Sequence, residues 1–154
     1  MSDLVPQRTS IGPMSPGAIA RIAELEKVIL GLRQVDIPTH HVLHAGMYAR
    51  TITIPAGVVL TGALVKRPTV LVVSGDALVS RGDDDGVHIT GTVVIPASAG
   101  RKQAFIAYAD TTVAMMFPTQ AMTIEQAEAE FTDDTDMLMS RRDPDLNTFI
   151  ITGE

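Results

Sequence analysis

Cysteine is absent from the 154 residues, which excludes disulfides, thiolate metal sites and cysteine nucleophiles together. Tryptophan is absent too. With only two Tyr and four Phe, the chain has no obvious platform for stacking bases or sugar rings. Positive charge is scarce: 12 Lys and Arg against 18 Asp and Glu leave a net charge of −6. That balance argues against gripping phosphate backbones, and the pairs Lys66-Arg67, Arg101-Lys102 and Arg141-Arg142 stand isolated. No nucleic-acid partner is expected. The apolar runs are too short to cross a bilayer, and the first residues carry no charged leader followed by an apolar core. Neither a membrane partner nor a secretory signal is therefore expected.

What is present suits one packed domain: 45% apolar residues and 19% charged ones. Eight Met against four Phe points to a core filled by flexible side chains. Residues 1–14, with Pro6, Gly12 and Pro13, read as an arm. Residues 15–35 hold a helix, with Ser15 as N-cap and Pro16 in the first turn. Ile22, Leu25, Ile29 and Leu32 follow at helical spacing, so an amphipathic helix is expected over about residues 16–33. Its apolar stripe packs either on its own domain or on the same helix of a sister subunit.

Residues 36–120 change texture. Short runs of Val, Ile, Thr, Leu and Ala are separated by Gly, Pro and Asp, as successive strands are. Strands are expected near 39–44, 47–54, 58–65, 69–74, 77–80, 87–89, 92–95, 103–108 and 112–117, which together make a sandwich or barrel. Its expected core is Ile52, Ile54, Leu60, Leu64, Leu71, Val73, Ile106 and Met115. Residues 121–142 revert to helix, where Thr123 and Gln126 fit a capping box and a second short helix is expected over 135–141. The tail, residues 143–154, ends in Phe149, Ile150, Ile151 and Thr152, an apolar strand that joins its own sheet or a neighbour's.

The order of turn residues in Tyr48–Pro118 resembles a cupin. A strand ends in Pro55-Ala56-Gly57, two strands meet at Ser74-Gly75-Asp76, and a second half opens between Gly91 and Pro96 and reaches Gly100. The stretches Tyr48 to Gly57, Leu60 to Leu64 and Ser98 to Lys102 are more particularly similar to small cupin-fold proteins of tailed bacteriophages. The resemblance implies a mostly β fold: a cupin-type jelly-roll barrel with an N-terminal amphipathic helix and short C-terminal helices. In catalytic members it also implies a metal cage, built from His-x-His and Glu in a first motif and His in a second. Here the first window holds Gly62, Leu64, Val65, Pro68 and Thr69, and the second holds Arg101, Lys102 and Gln103. Between Gly46 and Pro118 there is no Glu and one His, His88, while Asp76, Asp83, Asp84, Asp85 and Asp110 fall in expected turns. The barrel interior is accordingly expected to be hydrocarbon, with no metal, no cofactor and no catalytic residue.

Other constellations carry less. His40 and His44 face one way on a strand and His41 the other, so structural or interface roles outweigh metal binding. Arg81-Gly82-Asp83 spells an integrin tripeptide but reads as a hairpin loop, and the three Asp beside it are too closely spaced for a calcium loop. Gly100-Arg101-Lys102 could bind an anion, with a solvated turn as the plainer reading. Glu125, Glu128 and Glu130 read as the wet face of the late helix.

These readings lead to a non-enzymatic, metal-free structural protein of a tailed-phage virion, assembled in the host cytoplasm: a capsid decoration or cement, or a tail or connector component. Its partners are expected to be copies of itself and other virion proteins. The expected interface residues are Ile22, Leu25, Ile29 and Leu32 on the helix, with Phe149, Ile150 and Ile151 on the tail. A small-molecule or sugar-binding barrel and a metal-dependent enzyme are the alternatives.

Overall fold

A computed structural model describes residues 9–80 and 86–154. Helix α1 (Pro16–Leu30) opens with the Ser15 hydroxyl accepting from the Ala18 amide and stops at Gly31. It is followed by strands β1 (Thr39–His44), β2 (Met47–Ile54), β3 (Val59–Thr61), β4 (Thr69–Ser80), β5 (Val87–Ala97), β6 (Ala104–Ala107) and β7 (Thr111–Pro118). Helix α2 (Ile124–Phe131), a 3-10 turn, the short α3 (Met139–Arg142) and a second 3-10 turn lead to β8 (Asn147–Ile151). Among the described residues no helix is long and apolar enough to cross a membrane.

The eight strands form one curled sheet in the order β3-β6-β4-β7-β2-β1-β8, with β5 on β4. The fold is mostly β, with one N-terminal helix and short C-terminal helices. Strand alternation turns Tyr48, Ile54, Leu71, Val73, Val113, Met115 and Phe117 to the inner face, where they form the core with Ile95 and Phe105. Of the expected core, Ile54, Leu71, Val73 and Met115 are buried, and Ile52 and Leu60 pack against that core half-buried. Leu64 and Ile106 are only partly covered; in β6 the buried positions are Ala104, Phe105 and Ala107.

Two expected breaks are bends. Strand β4 runs unbroken through Gly75, and β5 through Gly91, and these two glycines face each other in the register. Both have positive φ, 149° and 75°, so the ladder turns without ending. The bend lets β4 pair with β7 over Val70–Ser74 and with β6 over Ala77–Ser80. The expected strand 58–65 shortens to β3 plus an isolated bridge from Val65 to Arg101. The expected helix over 135–141 divides into the turn Thr135–Met137 and α3. At α2 the Gln126 amide does donate to the Thr123 hydroxyl oxygen, but the Gln126 side chain reaches back to the Met122 amide and not to that of Thr123.

Ile11 and strand β8 both lie on the chain's own sheet. Ile11 is buried and bridges to Ala97, exchanging backbone bonds with Pro96 and Ser98. Strand β8 pairs in parallel with β1, Asn147 opposite Thr39 through Ile151 opposite Leu43. The Arg81-Gly82-Asp83 tripeptide and the other two Asp of that loop lie outside the described residues.

Candidate functional site

The inner face of the sheet is not hydrocarbon. Arg101 is the largest of the fully buried side chains, at 1% exposure, and Lys102 and Gln103 beside it are buried as well. The expected solvated turn after Gly100 is therefore corrected. Backbone bonds from Val65 and Gly62 to Arg101 and Gln103 draw this segment across the sheet. Arg101 is buried beside the barrel cavity that it helps to line. Its Nη2 donates to Thr69 Oγ1 at 2.6 Å, its Nη1 to the Ser98 carbonyl at 2.7 Å, and its Nε to Gln103 Oε1 at 3.2 Å. Burial brings its pKa down to about 10, which still leaves it charged at neutral pH.

The two windows in which the resemblance places metal ligands do meet, since Thr69 belongs to one and Arg101 to the other. What they hold is a fixed guanidinium, which repels a metal cation. Among the described residues no three His, Asp or Glu side chains cluster as a metal site. The residues present do not fit the metal of catalytic cupins. His88 bonds to Asp76 Oδ1 at 2.5 Å on the exposed surface, packed edge-on against Tyr108, far from any such role.

Above Arg101 opens a cavity of about 450 Å³. Leu60, Leu71, Phe105, Val113 and Met115 line its apolar wall. The segment following α1 and the stretch Met137–Met139 frame its entrance. Glu26 on α1 ties the helix over this rim by accepting from Thr61 Oγ1 and Lys102 Nζ, each at 3.0 Å.

A second buried polar group joins the sheet to the C-terminal helices. Glu128 is 1% exposed, so its place on the wet face of α2 is corrected. Ile124, Ala127, Glu128 and Phe131 share the face turned to the sheet, because residues three and four apart stack on a helix. The Glu128 carboxylate accepts from Arg50 at 2.8 Å, from Arg141 at 2.7 Å and from the Ser140 hydroxyl. Burial alone raises its pKa. The bonds from Ser140 and Arg141, with the charge and bond of Arg50, outweigh burial and hold the carboxyl below its ordinary range.

A directed chain of bonds runs on from Arg50. Its Nη1 lies 3.4 Å from Tyr48 Oη, which is 2.7 Å from His41 Nδ1, while His41 Nε2 lies 2.9 Å from Asn147 Oδ1. Because Arg50 can only donate, the Tyr48 hydroxyl donates onward to a neutral His41, whose Nε2–H donates to Asn147. The Asn147 amide nitrogen donates to the Ser140 carbonyl at 2.8 Å and closes the circuit. Burial pushes Tyr48 up to about 12. Burial also lowers His41, against the bond to Asn147 that raises it. The histidine cluster divides as its alternation requires: His41 is buried, while His40 and His44 are exposed, His44 meeting Thr152.

The sign for His41 follows from a folded pKa below its ordinary 6.5. Its contribution is complete above about pH 6.5 and is lost as pH falls through the lower folded value. Urea midpoints measured from pH 8 to 5 should therefore fall toward acid. His41→Gln should flatten that slope while lowering stability throughout.

The expected interface residues divide. Ile22 is buried with Ala18 against its own domain, and Ile29 is half-buried at the cavity entrance. Leu25 and Leu32 stay exposed, as do Phe149, Ile150 and Ile151 on β8. Arg101 and Glu128 were missed as buried groups because a charged side chain in sequence carries no mark of burial. The one available signal was Glu128 falling in step with Ile124 and Phe131.

No family model matches the chain, and no curated protein does. Among solved structures, the chain is similar to a double-stranded β-helix domain protein from Klebsiella pneumoniae. Identity is 16%, the match covers 61% of this chain and 84% of that one, and the TM-score is 0.46. It is similar to ectoine synthase from P. lautus at 14% identity, with 65% and 76% covered and a TM-score of 0.47. A cupin-2 domain protein from Shewanella frigidimarina matches at 9% identity, with 62% and 91% covered and a TM-score of 0.41. These neighbours are cupin-domain and double-stranded β-helix proteins, and the likeness is one of fold.

Proposed function

We propose that this chain is a non-catalytic, self-associating structural protein of cupin type, a component of a tailed-phage virion. The observation that carries the self-association is strand β8. It is the last strand in the sheet order, and Phe149, Ile150 and Ile151 on it are 50%, 58% and 53% exposed. Edge strands in soluble domains are commonly blunted by Lys, Pro or a bulge. The run from Thr148 to Ile151 contains no charge and no Pro. A second copy, adding its own β8 by two-fold symmetry, would bury these side chains and extend the sheet. Leu25 and Val28 on α1, with Leu32 just beyond its end and not on the helix as expected, offer further apolar area for contacts with other virion proteins.

The non-catalytic part of the reading draws on the site. The windows hold Val65, Thr69, Arg101 and Gln103, none of which is a general base at neutral pH. The virion part draws on the similarity of Tyr48 to Gly57, Leu60 to Leu64 and Ser98 to Lys102 to phage cupin-fold proteins. Capsid decoration or cement, and a tail or connector position, are the roles it would fill, assembled in the host cytoplasm.

Light scattering on the purified full chain tests the assembly. The native protein is expected as a dimer or larger, and Ile150→Lys as a monomer with an unchanged circular dichroism spectrum. A native protein that stays monomeric at all concentrations overturns the reading. Capsid, portal or tail genes flanking its gene would support the virion assignment. A small-molecule-binding barrel is the second reading, favoured by the cavity over Arg101.

A further inference from the structure

We propose that the barrel cavity is a binding site for a small organic carboxylate with an apolar body, its head seated between Arg101 and Gln103. The proposal concerns the inside of the sheet and does not rest on the self-association above, so either can fail alone.

Arg101 is a buried cation without a counter-ion. Its acceptors are the Ser98 and Arg67 carbonyls, Thr69 Oγ1 and Gln103 Oε1, all neutral. Among the described residues no Asp or Glu forms an ion pair with it. The nearby carboxylates are engaged elsewhere: Glu26 with Lys102, Glu130 with Arg67, Asp133 with Lys66, and Glu128 with Arg50 and Arg141. Burying a cation with no anion is costly, and natural interiors seldom leave it so.

Donors are in surplus at the same place. The bond from Arg101 Nε fixes the Gln103 amide with its oxygen toward the guanidinium. The Gln103 nitrogen is then left buried with no acceptor. Beyond its bond to Thr69, Nη2 of Arg101 meets, among the described residues, only Met115 Sδ, at 3.8 Å. Thr69 Oγ1 accepts from Arg101, which leaves its own proton to give. An acceptor bearing one negative charge would satisfy all of these together.

The cavity sets the rest of the ligand. Its 450 Å³ lies within the size of small-molecule pockets. Its wall of Leu60, Leu71, Phe105 and Val113 calls for hydrocarbon. Arg33 and Arg142 line the opening, are exposed, and have no ion-pair partner among the described residues. Among the described residues the single lining carboxylate, Glu26, is tied to Lys102. On a chain of net charge −6, such a basic entrance steers anions. One guanidinium matches one carboxylate, whereas a dianionic phosphate would bring a second buried charge with no cation to meet it.

Calorimetric titration and thermal melts of the full chain with sodium octanoate, 1-octanol and octyl phosphate test this. Octanoate is expected to bind saturably, roughly tenfold or more tighter than 1-octanol, and to raise the melting temperature. Gln103→Glu supplies the missing carboxylate from within. It should melt higher than the native protein without ligand and lose octanoate binding. If that variant does not fold, Arg101→Met serves, and it should bind octanoate no better than 1-octanol. Equal affinity for octanoate and 1-octanol, tighter binding of octyl phosphate, no saturable octanoate binding, or a Gln103→Glu protein that binds octanoate as the native one does would each overturn the proposal.

Discussion

Replacing Glu128 by alanine is expected to destabilise the fold by about 3 kcal/mol, because it strands Arg50 and Arg141 around a buried gap. Arg50 comes from β2, while Arg141 and Ser140 come from α3, so one carboxylate holds the C-terminal helices on the sheet. Loss of the carboxylate also frees Asn147 and the start of β8, since Ser140 is their other anchor. Urea unfolding at pH 7 measures the loss. Limited proteolysis should cut first between Thr132 and Asn147. The folded pKa of Glu128 lies below its ordinary 4.5, so its contribution is complete above that pH and disappears as pH falls through the folded value. The native protein should therefore lose stability below about pH 4.5, and Glu128→Gln should lose less of it over that window. An unchanged urea midpoint in Glu128→Ala would show that the network is only decoration.

The second large effect is expected at Gly75. A Cβ there would lie 2.5 Å from Thr111 Oγ1, 2.7 Å from Thr111 Cα and 2.8 Å from the Asp110 carbonyl oxygen. Two of those atoms are backbone and cannot swing aside. The φ of 149° adds conformational strain. Gly75→Ala should cost about 3 kcal/mol or more, or roughly 10 °C in melting temperature. Gly91 is the internal comparison, since it faces Gly75 across the ladder with φ 75° but nothing within 4 Å of a built Cβ. Gly91→Ala should cost only the backbone term, about 1 kcal/mol. Equal melting temperatures for the two variants would mean that the close approach of Thr111 does not hold the bend.

Much of the architecture was legible locally. Strands β1 and β2 fall over the expected residues 39–44 and 47–54, and α1 begins at the capped Ser15-Pro16. Hairpin neighbours pair over short separations, so period and turn chemistry suffice for them. The bends at Gly75 and Gly91 read as breaks, because a glycine in a strand marks an interruption equally well whether the ladder stops or turns. The site was less legible. Thr69 and Arg101 stand 32 residues apart, and Arg50 and Glu128 stand 78 apart. Nothing near any of the four in sequence distinguishes a buried charge from a solvated one.

The sequence by itself determined a mostly β chain with one capped helix in front, glycine-marked turns and an apolar last strand. Those properties depend on residue type, short-range sterics and the period of apolar side chains, which act along the chain. Only the tertiary structure decided that Arg101 is buried in the barrel, that Glu128 clamps three partners, and that β8 pairs with β1 of its own sheet. A buried polar group is stable only through partners that folding brings from far along the chain, and those partners exist nowhere until the sheet has curled.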